Sequence, residues 1–135
     1  MLFLDDQWFD VMARQTREQL NRPGLINATY CEVFTDCPGD KDTIWIFAVV
    51  RDGILQDIFR GEGKECIPDA DLCCTGTYAD HAAMIRGELD WKSAMLTGRL
   101  KVKGKWMKII KLIFLYGAFT EGKNVPDTLY GSASV

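Results

Sequence analysis

The sequence predicts an α/β (α+β) fold in which helices cover a mostly antiparallel five-stranded sheet. Residues 43–50, TIWIFAVV, are apolar on both faces, as expected for a strand covered on both sides. The Asp-Gly pair at 52–53 that follows is a hairpin signal, which favours antiparallel pairing. Residues 80–104 alternate between short helical stretches and glycines. The length of 135 residues indicates one domain spanning 1–135.

The first predicted element is a helix that begins at Asp5 or Asp6 and runs to about Leu20. Its apolar residues recur at helical spacing, and Pro23-Gly24 ends it. Four stretches with apolar, β-branched or aromatic character then predict strands, separated by turn signals that include a loop at 61–64. The predicted strands cover residues 25–35, 43–50, 54–60 and 70–77.

Two short helices are predicted between the fourth and fifth strands. Thr77 and Asp80 fit a capping box, in which each side chain binds the backbone N–H of the other residue. Asp90 can cap the second helix. Each helix is followed by a glycine, Gly87 or Gly98, which can adopt the left-handed conformation that ends a helix. Residues 99–103, RLKVK, then alternate strictly and predict a fifth strand with a basic outer face.

The order of these residues resembles the sterol carrier protein type-2 family. The family pattern is an Asp that opens a helix, a Gly-x-x-Asp turn, a small apolar helix with Ala, and Gly-(Lys/Arg)-hydrophobic-x-hydrophobic-x-Gly. The match runs from about Asp71 to Leu115. It implies an α/β domain that encloses an apolar tunnel for a fatty acyl chain, sterol or similar lipid, without catalysis. The matching positions are Asp80, Gly87, Asp90, Ala94, Gly98, Arg99, Leu100, Val102 and Gly104.

A final helix is predicted from about residue 105 to residue 119, followed by a loosely ordered tail from about 121. Residues 112–119 carry no charge, and a helix that is apolar nearly all round is buried or meets lipid. Core packing alone explains this pattern, whereas the resemblance favours a ligand wall. Ile44 and Ile46 are the alternative to Trp45 and Phe47 in that wall. The predicted ligand-binding residues are Trp45, Phe47, Met84, Ile85, Met95, Leu96, Ile109, Leu112, Ile113, Leu115, Tyr116 and Phe119.

Positive charge is concentrated in one part of an acidic chain. The formal net charge is −3, yet residues 92–111 contain seven Lys and Arg residues and no acid. A solvated face is the simpler explanation, and docking on an anionic membrane is the functional one. Nucleic-acid binding is not predicted, because the basic run is short and the remainder is acidic. The predicted membrane or headgroup contacts are Arg99, Lys101, Lys103, Lys105 and Lys108.

The cysteines and the single histidine argue against other classes of site. Five cysteines, two of them adjacent, do not suggest a disulfide framework and favour a reducing cytoplasm. No metal site and no cofactor are predicted. His81 could serve as a base for Cys73 or Cys74 in a small hydrolase, but no orienting partner is evident. The stronger alternative to lipid binding is a protein-interaction or homodimerisation module with a closed core.

Overall fold

The computed structural model of the protein describes residues 1–24, 26–104 and 109–131, with residues 109–114 described by their backbone alone. A short 3-10 turn, Lys64–Cys66, lies between the third and fourth strands. The helices and strands of the described part are α1 (Asp6–Gln19), β1 (Ala28–Thr35), β2 (Ile44–Arg51), β3 (Ile54–Glu62), β4 (Leu72–Thr77), α2 (Tyr78–Ile85), α3 (Trp91–Leu96), β5 (Lys101–Gly104) and α4 (Ile109–Lys123).

The five strands form one sheet in the order β3-β2-β1-β4-β5. Neighbouring strands are antiparallel except β1 and β4, which are parallel. The hairpin between β2 and β3 turns at Asp52 and Gly53, whose φ angles of 52° and 78° suit a two-residue turn. The predicted mostly antiparallel five-stranded sheet is therefore confirmed.

The two faces of the sheet bury separate groups of side chains. On one face, Tyr30, Phe34 and Leu72 pack with Trp8 and Met12 of α1 and with residues of α2 and α4 in the main core. The opposite face carries a smaller apolar cluster of Cys31, Val33, Trp45 and Phe47, against which Ile67, Ala70 and Cys73 pack. We call these the helix face and the outer face. Strand β2 is buried on both faces, as its continuous apolar run predicts.

Strand β3 continues through Gly61, which the sequence analysis placed in a loop. Gly61 pairs with Trp45 in the β2–β3 ladder, and a side chain at position 61 would overlap the indole of Trp45. The glycine that suggested a loop is thus a close-approach position inside a strand.

Helix α4 ends at Lys123, four residues beyond the predicted end at residue 119. The side-chain amide of Gln15 on α1 donates to the carbonyl oxygens of Gly122 and Asn124, at 3.0 and 3.2 Å, and so satisfies the end of the helix. The loosely ordered tail expected from about 121 stays a prediction, and the chain beyond α4 contacts the rest of the fold as far as Gly131. Val125 is buried, and the backbone N–H of Gly131 donates to the hydroxyl of Tyr78.

Candidate functional site

A cleft of about 390 Å³ opens on the protein surface between the α2–α3 turn and α4. Its apolar lining includes Met84, Leu89 and Trp91, and Asp90, Thr120 and Glu121 contribute polar groups. This volume falls within the range of sites that bind small organic molecules. The residues that line the cleft are Met84, Gly87, Leu89, Asp90, Trp91, Tyr116, Gly117, Thr120 and Glu121.

Local sequence signals position the α2–α3 wall of this cleft. Gly87 has φ of 78°, which lets the chain leave α2 in a tight turn. Asp90 caps α3 by accepting the N–H of Ser93 at 3.3 Å. The ring of Trp91, the first residue of α3, then packs on Tyr116 with centroids 5.5 Å apart. The two walls of the cleft therefore meet through an aromatic contact.

The start of α2 is fixed by a variant of the predicted capping box. The hydroxyl of Thr77 accepts the N–H of Asp80 at 3.0 Å, as predicted. The Asp80 carboxylate, however, accepts from the guanidinium of Arg99 at 2.6 Å. The reciprocal half of the box is thus replaced by an ion pair that ties α2 to the segment before β5.

A buried polar cluster lies on the helix face beside the cleft residue Tyr116. The ammonium of Lys123 donates to Glu32 Oε2 at 2.6 Å, and the hydroxyl of Tyr30 donates to Glu32 Oε1 at 2.9 Å. Glu32 and Lys123 are each 2% exposed. The Lys123 ammonium also lies 5.5 Å from the centre of the Tyr116 ring. Burial raises the pKa of Glu32, but Lys123, His81 and Tyr30 lower it by a larger amount. The pKa of Glu32 is therefore below the ordinary value of a glutamate.

His81 completes this cluster as a neutral imidazole. Its Nε2 lies 3.1 Å from the carbonyl oxygen of Val33, so this nitrogen carries the hydrogen that is donated. Nδ1 lies 4.0 Å from Glu32 Oε2 and has no hydrogen-bond partner among the described residues. Burial, with the Lys123 charge, lowers the pKa of His81 to about 4. His81 is therefore an uncharged member of a charged network.

The structure brings part of the predicted ligand wall together at the cleft. Met84 and Tyr116 line it, and the Tyr116 hydroxyl donates to the Met84 sulfur at 3.4 Å. Leu115 and Phe119 are buried in the main core, and Ile85 packs against that core. Met95 is 38% exposed and Leu96 is 89% exposed, so α3 does not bury them in a pocket. The side chains of Ile109, Leu112 and Ile113 lie outside the described residues.

Trp45 and Phe47 lie on the outer face, away from the cleft. The two residues named as their alternative, Ile44 and Ile46, are the ones on the helix face. Because successive side chains in a strand point to opposite faces, only one pair can face α4. Trp45 and Phe47 therefore do not share a cavity with Tyr116.

The predicted basic contacts are likewise separated from the cleft. Lys101 and Lys103 are exposed and pair with Thr75 and Cys73, which places them on the side of the outer face. Arg99 is exposed but already paired with Asp80. Lys105 and Lys108 lie outside the described residues.

Sequence reasoning missed the polar cluster of Glu32, Lys123 and Tyr30. Glu32 interrupts an otherwise apolar strand, TYCEVF, and this interruption was the available signal, because a carboxylate in a covered strand requires a partner. Its partner Lys123 lay beyond the predicted end of α4. The ion pair could not be inferred without the true length of that helix.

The structure separates the components of the suggested thiol–histidine site. Cys73 lies with the outer face and His81 on the helix face, so they form no dyad. Cys74 shares the helix face with His81, but burial raises the pKa of Cys74 to about 12. A protonated, buried thiol is a poor nucleophile.

The part of the chain that the structure describes has neither a metal-binding cluster nor a membrane-spanning helix. No group of three or more His, Cys, Asp or Glu side chains there could hold a metal ion. No helix in these residues has the length and apolar character needed to cross a membrane.

Solved structures with similar folds define the fold class. A Thermus thermophilus protein described as possibly a sterol carrier protein has a TM-score of 0.69 and 16% identity, and covers 92% of this chain and 88% of its own. A crystal structure of sterol carrier protein 2 has a TM-score of 0.66 and 17% identity, with coverage of 92% and 98%. Palmitated SCP2L2 from Aedes aegypti has a TM-score of 0.53 and 10% identity, with coverage of 78% and 89%. The fold is thus that of sterol carrier proteins.

The sequence places the chain more narrowly. Residues 35–116, more than half of the chain, match the SCP-2 sterol transfer family. The protein belongs to this family, which supports lipid or sterol binding and transfer in general. No curated protein matches the chain significantly.

Proposed function

We propose that this protein binds a long-chain hydrophobic ligand without catalysis and transfers it between membranes. The observation that carries the proposal is the cleft between the α2–α3 turn and α4, with its apolar and aromatic wall. Membership of a sterol transfer family supports the same function. In this proposal the ligand enters through the cleft, and an apolar tunnel leads inward from the cleft along α4.

The ligand class is a fatty acid, fatty acyl-CoA, phospholipid or sterol. Each ligand methylene that is buried contributes about 0.8 kcal/mol, so a long chain can bind tightly with few polar contacts. Met84 suits such a wall, because its unbranched side chain adapts to different ligand shapes. The palmitated Aedes aegypti relative supports testing a sixteen-carbon fatty acid first.

Membrane docking through the basic surface is part of the proposal. Arg99, Lys101 and Lys103 are exposed, and each basic residue near an anionic surface contributes about 1 kcal/mol. Lys105 and Lys108 extend the basic run in the sequence.

All five cysteines are free thiols, which supports a cytoplasmic setting.

Solvent extraction of the purified protein, followed by mass spectrometry, is the first test. We expect one lipid per protein in the extract. If the extract is empty, the protein is then titrated with palmitate and with cholesterol, and the change in tryptophan fluorescence between wild type and Trp91→Phe is compared, since the Trp91 indole lines the cleft. No bound lipid in the extract and no response to either titrant would contradict lipid binding.

A substitution that fills the cleft tests its location. Gly117 lines the cleft and is exposed, and a Cβ there would meet no described heavy atom within 4 Å. Gly117→Phe should therefore block the entrance without displacing neighbours, and we expect at least a tenfold loss of lipid affinity. Arg14→Phe places the same ring on an exposed position of α1 and should leave affinity unchanged. Equal affinities for the two variants would place the ligand elsewhere.

A homodimerisation module is the second candidate function. It is favoured by the exposed apolar side chains of Leu96 (89%) and Met95 (38%) on α3. Sedimentation of wild type and Leu96→Ser across a concentration series distinguishes the two functions. Concentration-dependent dissociation that Leu96→Ser abolishes, with no effect of lipid, would favour dimerisation.

A further inference from the structure

A row of side chains crosses the outer face of the sheet through paired positions on five strands. Phe59 of β3 pairs with Phe47 of β2, and Phe47 pairs with Cys31 of β1. Cys31 pairs with Cys73 of β4, and Cys73 pairs with Lys103 of β5. Because residues paired across strands share a face, two thiols and an ammonium lie side by side here.

The two thiols of the row differ in access to solvent. Cys31 is fully buried, whereas Cys73 is partly exposed next to the edge strand β5. The Cys73 sulfur also lies 3.8 Å from the hydroxyl of Thr75. Reagents in solution therefore reach Cys73 first, and Cys31 is the immediate neighbour behind it.

The surroundings of Cys73 favour its ionised form. The neighbouring Cys31 thiol lowers the pKa of Cys73, burial opposes this shift, the Thr75 hydroxyl and the Lys103 ammonium add to it, and the Glu32 charge acts against it. The neighbouring Cys73 sulfur and burial raise the pKa of Cys31. A thiolate at a position paired with a protonated thiol on the next strand is the arrangement of a reactive cysteine with a resolving partner.

We propose that Cys73 is a modification site for hydroperoxides and that Cys31 resolves the product to an intramolecular disulfide. The geometry permits this bond, because neighbouring strands lie about 4.7–4.9 Å apart and disulfides join Cα atoms about 4.4–6.8 Å apart. Neither thiol belongs to the cleft, so the site is independent of lipid binding.

The reaction balances in two steps. The Cys73 thiolate attacks one oxygen of the hydroperoxide and breaks the O–O bond. This step forms a sulfenic acid and, after proton uptake, releases water or an alcohol. The Cys31 sulfur then attacks the sulfenic sulfur, forms the S–S bond and expels hydroxide, which leaves as water with the Cys31 proton. Two thiols are oxidised and one hydroperoxide is reduced.

The wild-type protein carries its own control, because Cys66 is exposed and lies outside the row. Hydrogen peroxide is added at one equivalent at pH 7, and alkylated peptides are sequenced by mass spectrometry. We expect Cys73 to react about tenfold faster than Cys66, because Thr75 and Lys103 lie beside Cys73 and favour its thiolate. The product should have lost two hydrogen atoms and contain a Cys31–Cys73 linkage. Equal rates for Cys66 and Cys73, or a linkage between other cysteines, would overturn the proposal.

Three variants separate the roles of the neighbours. Cys31→Ala should stop at the sulfenic acid, which dimedone traps on Cys73. Lys103→Met should slow the reaction of Cys73, whereas Lys101→Met, which changes the charge beside Thr75, should slow it less. Continued loss of two hydrogen atoms in Cys31→Ala would refute the resolving role. If Cys31→Ala does not fold, the linkage found in the wild type decides the question.

Discussion

Removing one partner of the buried Glu32–Lys123 pair should destabilise the fold strongly. Lys123→Met keeps the length of the side chain but leaves the Glu32 carboxylate buried, with Tyr30, at 2.9 Å, as its remaining donor among the described residues. Breaking such a pair costs about 3–5 kcal/mol, which is a large share of the about 5–15 kcal/mol that holds a domain together. In the variant, Glu32 can avoid a buried unpaired charge by binding a proton. The loss of unfolding free energy at neutral pH should therefore lie near the lower end of the range of about 3–5 kcal/mol.

A double-mutant cycle measured by urea unfolding isolates the interaction. We expect Glu32→Gln/Lys123→Met to recover at least about 2 kcal/mol relative to the sum of the single variants, because the buried charge is then gone. The side-chain amide introduced by Glu32→Gln would still accept a hydrogen bond from Tyr30. The pair Lys41–Glu62, at 3.3 Å, is the control, because Lys41 is exposed and Glu62 is partly exposed. Lys41→Met should cost no more than about 1 kcal/mol, as surface pairs do.

Two outcomes would refute this reasoning. A cost below about 1 kcal/mol for Lys123→Met would mean that the pair contributes no more than a surface pair. Strict additivity of the two single variants would mean that Glu32 and Lys123 do not interact in solution.

Two further predictions concern the same core. The pKa of His81 in the folded protein, about 4, lies below its ordinary 6.5, so the unfolded chain binds the proton first. The free energy of unfolding should fall by about 3 kcal/mol as the pH drops from 7 to 4. Urea titrations at each pH should show that His81→Gln removes this part of the pH dependence. The same dependence of unfolding free energy on pH in wild type and His81→Gln would contradict the prediction. Gly122→Ala should lower the melting temperature, because the new methyl group overlaps Thr16, whereas Gly117→Ala should raise it by removing a helical glycine. A gain in both variants would refute the close packing of α1 on α4.

The sequence predicted the order of elements because each has a local signal. The cap at Asp90, the turn at Asp52-Gly53 and the alternation of RLKVK each act within a few residues. The face of β2 that meets the helices could not be read, because TIWIFAVV is apolar on both faces and its register depends on pairing with β1. The position of the cleft also depends on which turn of α4 meets α2, and this is a tertiary contact.

The end of α4 could not be predicted from the local sequence either. The uncharged run 112–119 predicted a helix but not its end, since the residues that satisfy the last turn come from α1 and β1. The reactive pair of Cys31 and Cys73 was equally invisible, because 42 positions separate two residues that parallel pairing makes neighbours.

The polar anchors of α4 have a consequence for how its sequence can vary. A helix that is apolar on nearly every side has no hydrophobic stripe to fix its rotation about its own axis. Lys123 binds the carboxylate of Glu32 in the sheet, and Gly122 packs closely against Thr16 of α1. These two contacts therefore fix the rotation of α4. The apolar positions nearer the cleft are then free to change in size and shape. Related chains can therefore acquire different ligand preferences while the helix keeps its position and rotation.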